Sequence, residues 1–258
     1  MSSLELSSLK QTEALGKILV LDGRIACAEE DEYVYHEMIA HVPVFAHPHA
    51  KNILVIGGGD GGTVRELLRH EHVEHIDLVE IDESVIEASK KYLPDLASSL
   101  NDKRVTVRIE DGVEYVKGCA NEHYDLVIID SDDPEGPSKG LFSESFYHEI
   151  YRLLKQDGIM VTQSESPRFN QHIFTDIFKC YKKVYVKDNV FCYLMYLPSF
   201  PSGMWSFSFS SKGGGDPFKN LNMEKIDNFC SKNSLKYYGS NIHRSAFILP
   251  KFVQDILQ

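Results

Sequence analysis

A chain of 258 residues that is 43% hydrophobic and 25% charged is long enough to bury roughly 70–75% of its unfolded surface, so a core forms without a disulfide or metal staple. Its net charge of −11 argues against sequence-independent binding to nucleic acid or anionic lipid and favours neutral or cationic partners. No apolar run approaches the ~18–20 residues of a membrane span, no signal-peptide pattern is present, and Cys27, Cys119, Cys180, Cys192 and Cys230 form no C-x-x-C pair, which together predict a soluble cytoplasmic protein with reduced thiols.

Residues 1–13 are polar with scattered leucines and read as a frayed strand or a tail. In KILVLDGRIAC, residues 17–27, Asp22-Gly23 lies between two β-favouring runs, a strong short-range hairpin signal. The stretch EDEYVYHEMIAH, residues 30–41, has acids in its first turn and Val34, Met38 and Ile39 at helical spacing; it predicts a helix that ends near Pro43 and carries Tyr35 and His36. Residues 1–45 are expected to form a small N-terminal β-hairpin domain with its connecting helix, and residues 46–258 one larger domain without internal repeats.

The larger domain is organised around NILVIGGGDGG, residues 52–62. A short apolar run, a glycine-rich turn and the helical TVRELLRH follow the grammar of a first strand, a nucleotide-binding turn and the helix it feeds, where Gly57, Gly59 and Gly61 let backbone approach a ligand. Asp60 sets this turn apart, because a loop for phosphate should not hold a fixed negative charge. It is built for a cation. Further β-rich runs at residues 75–80, 104–109, 124–130 and 158–163 alternate with helix-like stretches at 83–92, 113–118 and 143–154, which predicts a parallel, doubly wound α/β sheet. Beyond Phe169 a helix to about Cys180 precedes β-rich text expected as antiparallel edge strands, with Trp205 a core strand aromatic.

In such a sheet ligands bind outside the carboxyl ends of the strands. Each early strand ends in an acid: the turn with Asp60, then Glu80 with Asp82, then Asp111, then Asp130. Glu80 lies where an acid accepts the two ribose hydroxyls of a nucleoside, and Asp111 with Gly112 where an adenine amino group is met. At the ribose 5′ carbon NAD, FAD and ATP carry phosphates, whereas decarboxylated S-adenosylmethionine carries a purely cationic tail. DSDDPEGP, residues 130–137, crowds Asp130, Asp132, Asp133 and Glu135 into one loop, unfavourable unless a cation is bound. A metal is the weaker occupant, since Mg²⁺ enzymes usually bring phosphate substrates that Asp60 repels. Residues 131–142 are expected to close over the site. His41, His47 and His49, like His70, His72 and His75, read as ordinary surface histidines rather than metal ligands. His243-Arg244 suits packing or a dimer contact as well as substrate.

The set GGGDGG, VEID, EDG, DSDDPEGP followed by LF, QSES, FPSG and YYGSNIHRSAF resembles the spermidine synthase (polyamine aminopropyltransferase) family, from about Gly16 to the end of the chain. The resemblance implies a methyltransferase-like Rossmann domain with a small N-terminal β-domain, a homodimer or homotetramer, and no metal or cofactor. It also implies transfer of the aminopropyl group of decarboxylated S-adenosylmethionine to an amine such as putrescine, releasing methylthioadenosine. Position by position, Asp130 matches the catalytic base and Tyr35 its helper beside the attacking amine. Asp60 matches the residue holding the aminopropyl ammonium, Glu80 the ribose acid, Asp111 the adenine contact, and Asp133 and Gln163 acceptor positions. The departures fall on the acceptor side and the assembly: His36 and Ala26 stand where many members carry glutamines, Phe200 where a tyrosine is common, Asp132 where Ser or Thr is usual, and the chain starts late. His36 and Phe200 are accordingly expected against the acceptor. A methyltransferase using S-adenosylmethionine would share the fold, and a non-catalytic polyamine-binding protein the cation sites.

Overall fold

The computed structural model describes residues 6–134, 136–219 and 221–258. Residues 1–5 of the N-terminal stretch and Glu135 of the acidic loop lie outside the described residues. Asp22 and Gly23 have φ of 47° and 78°, the positive values that join two strands in keeping with their right-handed twist. Around that turn β1 (Leu6–Thr12), β2 (Gly16–Leu21) and β3 (Arg24–Ala28) form an antiparallel three-stranded sheet. The stretch read as a frayed strand or tail thus supplies its edge.

Helix α1 (Glu32–Ala46) runs past Pro43, where the sequence predicted its end. An interior proline lacks an N–H and costs roughly 3 kcal/mol in an isolated helix. Here every residue from Val34 to Ala46 is buried, and packing of Val42, Val44 and Phe45 in the main core outweighs that cost. At the other end, Asp31 does not cap the helix with its side chain. Its carboxylate instead accepts the backbone N–H of Ser199 at 2.7 Å, which ties the helix start to a distant loop.

Beyond α1, β4 (Asn52–Gly57), β5 (His75–Glu80), β6 (Val105–Ile109), β7 (Tyr124–Asp130) and β8 (Leu154–Gln163) run parallel, and β9 (Val190–Tyr196) and β10 (Met204–Ser211) add an antiparallel edge. The order is β6-β5-β4-β7-β8-β10-β9. Helices α2 (Gly62–Leu68), α3 (Glu83–Tyr92), α4 (Pro94–Ala97), α5 (Gly112–Gly118), α6 (Glu144–Leu153) and α7 (Gln171–Val184) occupy the crossovers, and α8 (Met223–Asn233), α9 (Ser240–Ala246) and α10 (Lys251–Leu257) close the chain. The central strands read as unbroken apolar runs because both faces are covered. Ile53, Val55, Leu126 and Ile128 pack with α1, whereas Leu54, Ile56, Val127 and Ile129 pack with Tyr147 of α6 and Tyr181 of α7.

From β4 the chain steps outward to β5 and β6 and then returns to β7 on the opposite side of β4. That reversal opens a crevice at the carboxyl ends of β4 and β7, where Gly57 and Asp130 are register partners. This is a methyltransferase-like doubly wound sheet with a small N-terminal β unit. Among the described residues no helix is long and apolar enough to cross a membrane, and no group of three or more His, Cys, Asp or Glu side chains could hold a metal ion.

Candidate active site

A cavity of about 770 Å³ lies over these strand ends, bounded below by the glycine-rich turn and the acids of β5 and β7 and on another side by the β2–β3 hairpin. The turn needs its glycines because backbone and acids crowd it. A Cβ on Gly57 would fall 2.1 Å from the Asp130 carbonyl oxygen, and one on Gly59 2.8 Å from Glu80 Oε2. Gly61 turns the chain into α2, with φ of 87° and the Leu96 carbonyl beside it, just beyond the cavity lining.

Asp60 accepts the Gly62 N–H at 2.7 Å through Oδ1, and its Oδ2 faces His36 Nε2 at 3.5 Å. Burial opposes its charge, yet His36 and the Gly62 N–H hold the carboxyl below its ordinary value, so Asp60 is an anion. Asp130 is gripped from two helices: Tyr35 Oη of α1 donates to Oδ1 at 2.8 Å and Thr63 Oγ1 of α2 to Oδ2 at 2.7 Å. Burial, with the charge of Asp60, pushes Asp130 above the usual carboxylate range, which suits a proton acceptor.

Glu80 accepts the N–H groups of Gly59 at 3.2 Å and Asp82 at 3.0 Å. Burial lifts it to about 7 against the Asp82 bond, and the charge of Asp132 adds to the rise. Asp111 caps α5 through the Val113 N–H at 2.8 Å and lines the cavity with Gly112, Ile81 and Leu141. Asp82 only caps α3, through Ser84 at 2.9 Å.

On the other side Asp133 accepts Arg24 Nη1 at 2.6 Å, a contact from the hairpin tip. Gln163 Oε1 accepts Trp205 Nε1 at 3.2 Å and the Glu165 N–H at 3.1 Å, and Phe200 meets the Trp205 ring edge-on at 4.9 Å. Burial, then Asp133 and Asp130, pushes Asp132 up to about 6. Buried Glu165, pushed up to about 8 by burial and Asp133, stands behind this wall and accepts Asn170 Nδ2 at 2.5 Å.

The family description "Spermine/spermidine synthase domain" matches residues 32–225. The chain belongs to the spermine/spermidine synthase family. It is therefore an enzyme, a transferase of the aminopropyltransferase class. It is 45% identical over 251 residues to the polyamine aminopropyltransferase of Caldicellulosiruptor saccharolyticus, covering 97% of this chain and 87% of that one. It is 45% identical over 248 residues to that of Shouchella clausii, covering 96% and 87%. Among solved structures it resembles a spermidine synthase in complex with the transition-state analogue AdoDATO, at TM-score 0.90 and 40% identity, covering 97% of this chain and 87% of that one. The spermidine synthase of Thermotoga maritima gives TM-score 0.89 and 40% identity at the same coverage.

Within this family member, His36 does not stand with Asp133 and Gln163 as expected. One residue past Tyr35 on the helix it points about 100° away, so Tyr35 reaches Asp130 while His36 lies between Asp60 and Glu32. The surface reading of the histidines fails for three of them. His41, His47 and His70 are buried, with His41 bound to Glu66 at 3.1 Å and to His70 at 2.9 Å, and His70 stacked on Phe229 at 4.4 Å. His243 is a packing residue, between the Tyr238 hydroxyl at 2.7 Å and the Pro217 carbonyl at 3.2 Å, and burial lowers it to about 4. Trp205 is buried on β10 as expected but also faces the cavity. Thr63, Arg24 and Glu165 escaped sequence reasoning. Of these only Arg24 left a trace, as a cation beside a predicted turn in an acidic chain.

Proposed function

We propose that this enzyme moves the aminopropyl group of decarboxylated S-adenosylmethionine onto a primary amine, with putrescine as the acceptor and methylthioadenosine as the second product. The observation that carries this is the ionised Asp60 on the glycine-rich turn, sharing one cavity with Asp130. A phosphate donor is repelled there, and ordinary S-adenosylmethionine would set its carboxylate against Asp60, which disfavours methyl transfer. Glu80 would take the ribose hydroxyls, and Asp111 and Gly112 the adenine, with Ile81 and Leu141 beside the ring.

An ammonium has no lone pair, and with a solution pKa near ~10.4 it must lose a proton beside the reacting carbon. Asp130 accepts that proton, its carboxylate aimed by Tyr35 and Thr63. The freed nitrogen pair forms a bond to the carbon next to the sulfonium. The C–S pair leaves with sulfur, which becomes a neutral thioether. Holding nitrogen and carbon near ~3–3.5 Å supplies much of the rate. Asp133, Gln163 and Phe200 would receive the far end of the amine. A cytoplasmic location and a homodimeric or homotetrameric assembly, implied by the resemblance, belong to the same proposal; light scattering that gives a monomer would remove the assembly.

The deciding experiment incubates the purified protein with decarboxylated S-adenosylmethionine and putrescine, cadaverine, agmatine, diaminopropane or spermidine, and reads products by mass spectrometry. Aminopropylated putrescine with stoichiometric methylthioadenosine is expected. Donor binding without product from any amine would favour a binding protein instead.

A further inference from the structure

His36 meets Glu32 Oε2, one turn earlier on α1, through Nδ1 at 2.5 Å, and faces Asp60 through Nε2. Its ring lies so close to the start of α2 that a Cβ on Gly62 would fall 2.3 Å from it. Glu32 is itself clamped by Arg65 of α2, Nη1 to Oε1 at 3.0 Å and Nη2 to Oε2 at 2.9 Å. Such a two-pronged contact fixes orientation as well as distance. Behind it Arg65 Nε donates to Glu66 Oε1 at 2.7 Å, and Glu66 Oε2 continues to Arg69 at 2.6 Å and His41 at 3.1 Å. A polar chain therefore runs from the cavity wall through the α1–α2 contact into the buried histidines. Glu32, His36 and Asp60 touch the cavity; Arg65, Glu66, Arg69 and His41 do not.

We propose that Glu32 and Arg65 are positioning residues for the donor's ammonium: they hold His36 against Asp60, and His36 with the Gly62 N–H fixes the Asp60 carboxylate as a preformed seat for that cation. The inference rests on the donor assignment above. A carboxylate turns freely about its last torsion. Here each Asp60 oxygen has its own fixed partner, so an arriving ammonium meets lone pairs that need no reordering. His36 must carry its proton to do this. Facing it are Glu32 and the Tyr35 ring on α1, Asp60 on the turn, Arg65 on α2, Asp130 at the end of β7 and, near Asp60 and Glu32, the Cys27 thiol on β3. Three carboxylates against one guanidinium favour the imidazolium. Burial opposes it, but Asp60 and Glu32 prevail and lift His36 well above its ordinary value.

The test is calorimetry with decarboxylated S-adenosylmethionine, its parent, and methylthioadenosine, which has the same nucleoside and no ammonium. Wild type should prefer the decarboxylated donor to the parent. Glu32→Gln should weaken the decarboxylated donor about tenfold, the worth of one charged hydrogen bond, leave methylthioadenosine unchanged, and move the alkaline loss of donor binding to lower pH. Arg65→Lys keeps the charge without the fork and should give a smaller loss with the same selectivity; it carries the test should Glu32→Gln fail to fold. Donor affinity unchanged in the variants, or methylthioadenosine lost in proportion, overturns the inference while the donor assignment stands. A wild type indifferent to the parent's carboxylate overturns both.

Discussion

Asp130→Asn separates the chemistry of this cavity from its architecture. The amide keeps the side-chain volume, its oxygen still accepts the Tyr35 hydroxyl now at 2.8 Å, and Thr63, 2.7 Å from the other oxygen, can turn its hydroxyl to accept from the new NH₂. What disappears is the proton acceptor and the negative charge beside the amine. A positioned base is worth ~10²–10⁴-fold, so kcat should fall at least ~10²-fold, about 2.7 kcal/mol of transition-state stabilisation. Stability should move the other way. A carboxyl whose folded pKa lies above its unfolded value binds protons more tightly when folded, so stability falls as pH rises between the two values, and above both the ionised group destabilises the fold. Burial and Asp60 place Asp130 in that class. The amide removes the unfavourable charge, and at neutral pH the variant should melt higher than wild type while turning over far more slowly. Initial rates of methylthioadenosine release, followed by chromatography, and a thermal melt in the same buffer read both numbers. Near-normal turnover, or lost turnover with a lower melting temperature, would refute the reasoning.

Tyr35→Phe deletes one of the two hydroxyl donors to Asp130 and should lower kcat roughly tenfold, about one charge-assisted hydrogen bond, with donor KM unchanged; an altered donor KM alone would place Tyr35 elsewhere in the cycle. Gly57→Ala meets both a φ of 80° and the Asp130 carbonyl at 2.1 Å, so urea unfolding should show a loss of at least ~2 kcal/mol. His36 has a folded pKa lifted well above its ordinary value by Asp60 and Glu32 against burial. Its contribution is therefore full below the ordinary imidazole value and lost as pH rises through the folded one; thermal melts across pH should show His36→Gln flattening the alkaline limb of the pH–stability curve and, because Asp60 and Glu32 lose the partner that holds their carboxyls down, moving the acid limb to higher pH.

What local pattern encodes was legible. Alternation of apolar runs with helical stretches gave the parallel sheet, and the acids at the carboxyl ends of β4, β5 and β7 pointed to the crevice, because both follow from spacing along the chain. The partners that make those acids usable were not. Thr63 reaches Asp130 across 67 positions and Arg24 reaches Asp133 across 109, and no periodicity links such pairs. The histidines misled for the same reason. HEHVEH looks polar in one dimension, but His70 is buried against Phe229 from α8 and bonds His41 of α1, which in turn meets Glu66 from α2. Pro43 read as a stop because its local cost was visible and the burial of the residues after it was not.

The acids in and behind the cavity differ in how their charge is held, and the contrast between Asp60 and Asp132 matches the two cations of the proposed reaction. Asp60 is held ionised by a structural partner, His36, with Glu32 and Arg65 behind it. Among the described residues no buried cation faces Glu80, Asp132 or Glu165; burial and neighbouring carboxylates lift them to about 7, 6 and 8. Near neutral pH each can exchange a proton at small cost. A cation arriving at Asp60 therefore finds a fixed charge, whereas one arriving beside Asp132 and Asp133 exchanges with the proton of Asp132 and with the exposed Arg24 that Asp133 holds. Fixed charge suits the donor tail, whose ammonium must stay put while the neighbouring carbon reacts. Exchangeable charge suits the amine, which must enter as a cation, give up a proton to Asp130, and leave with one more charged nitrogen than it brought.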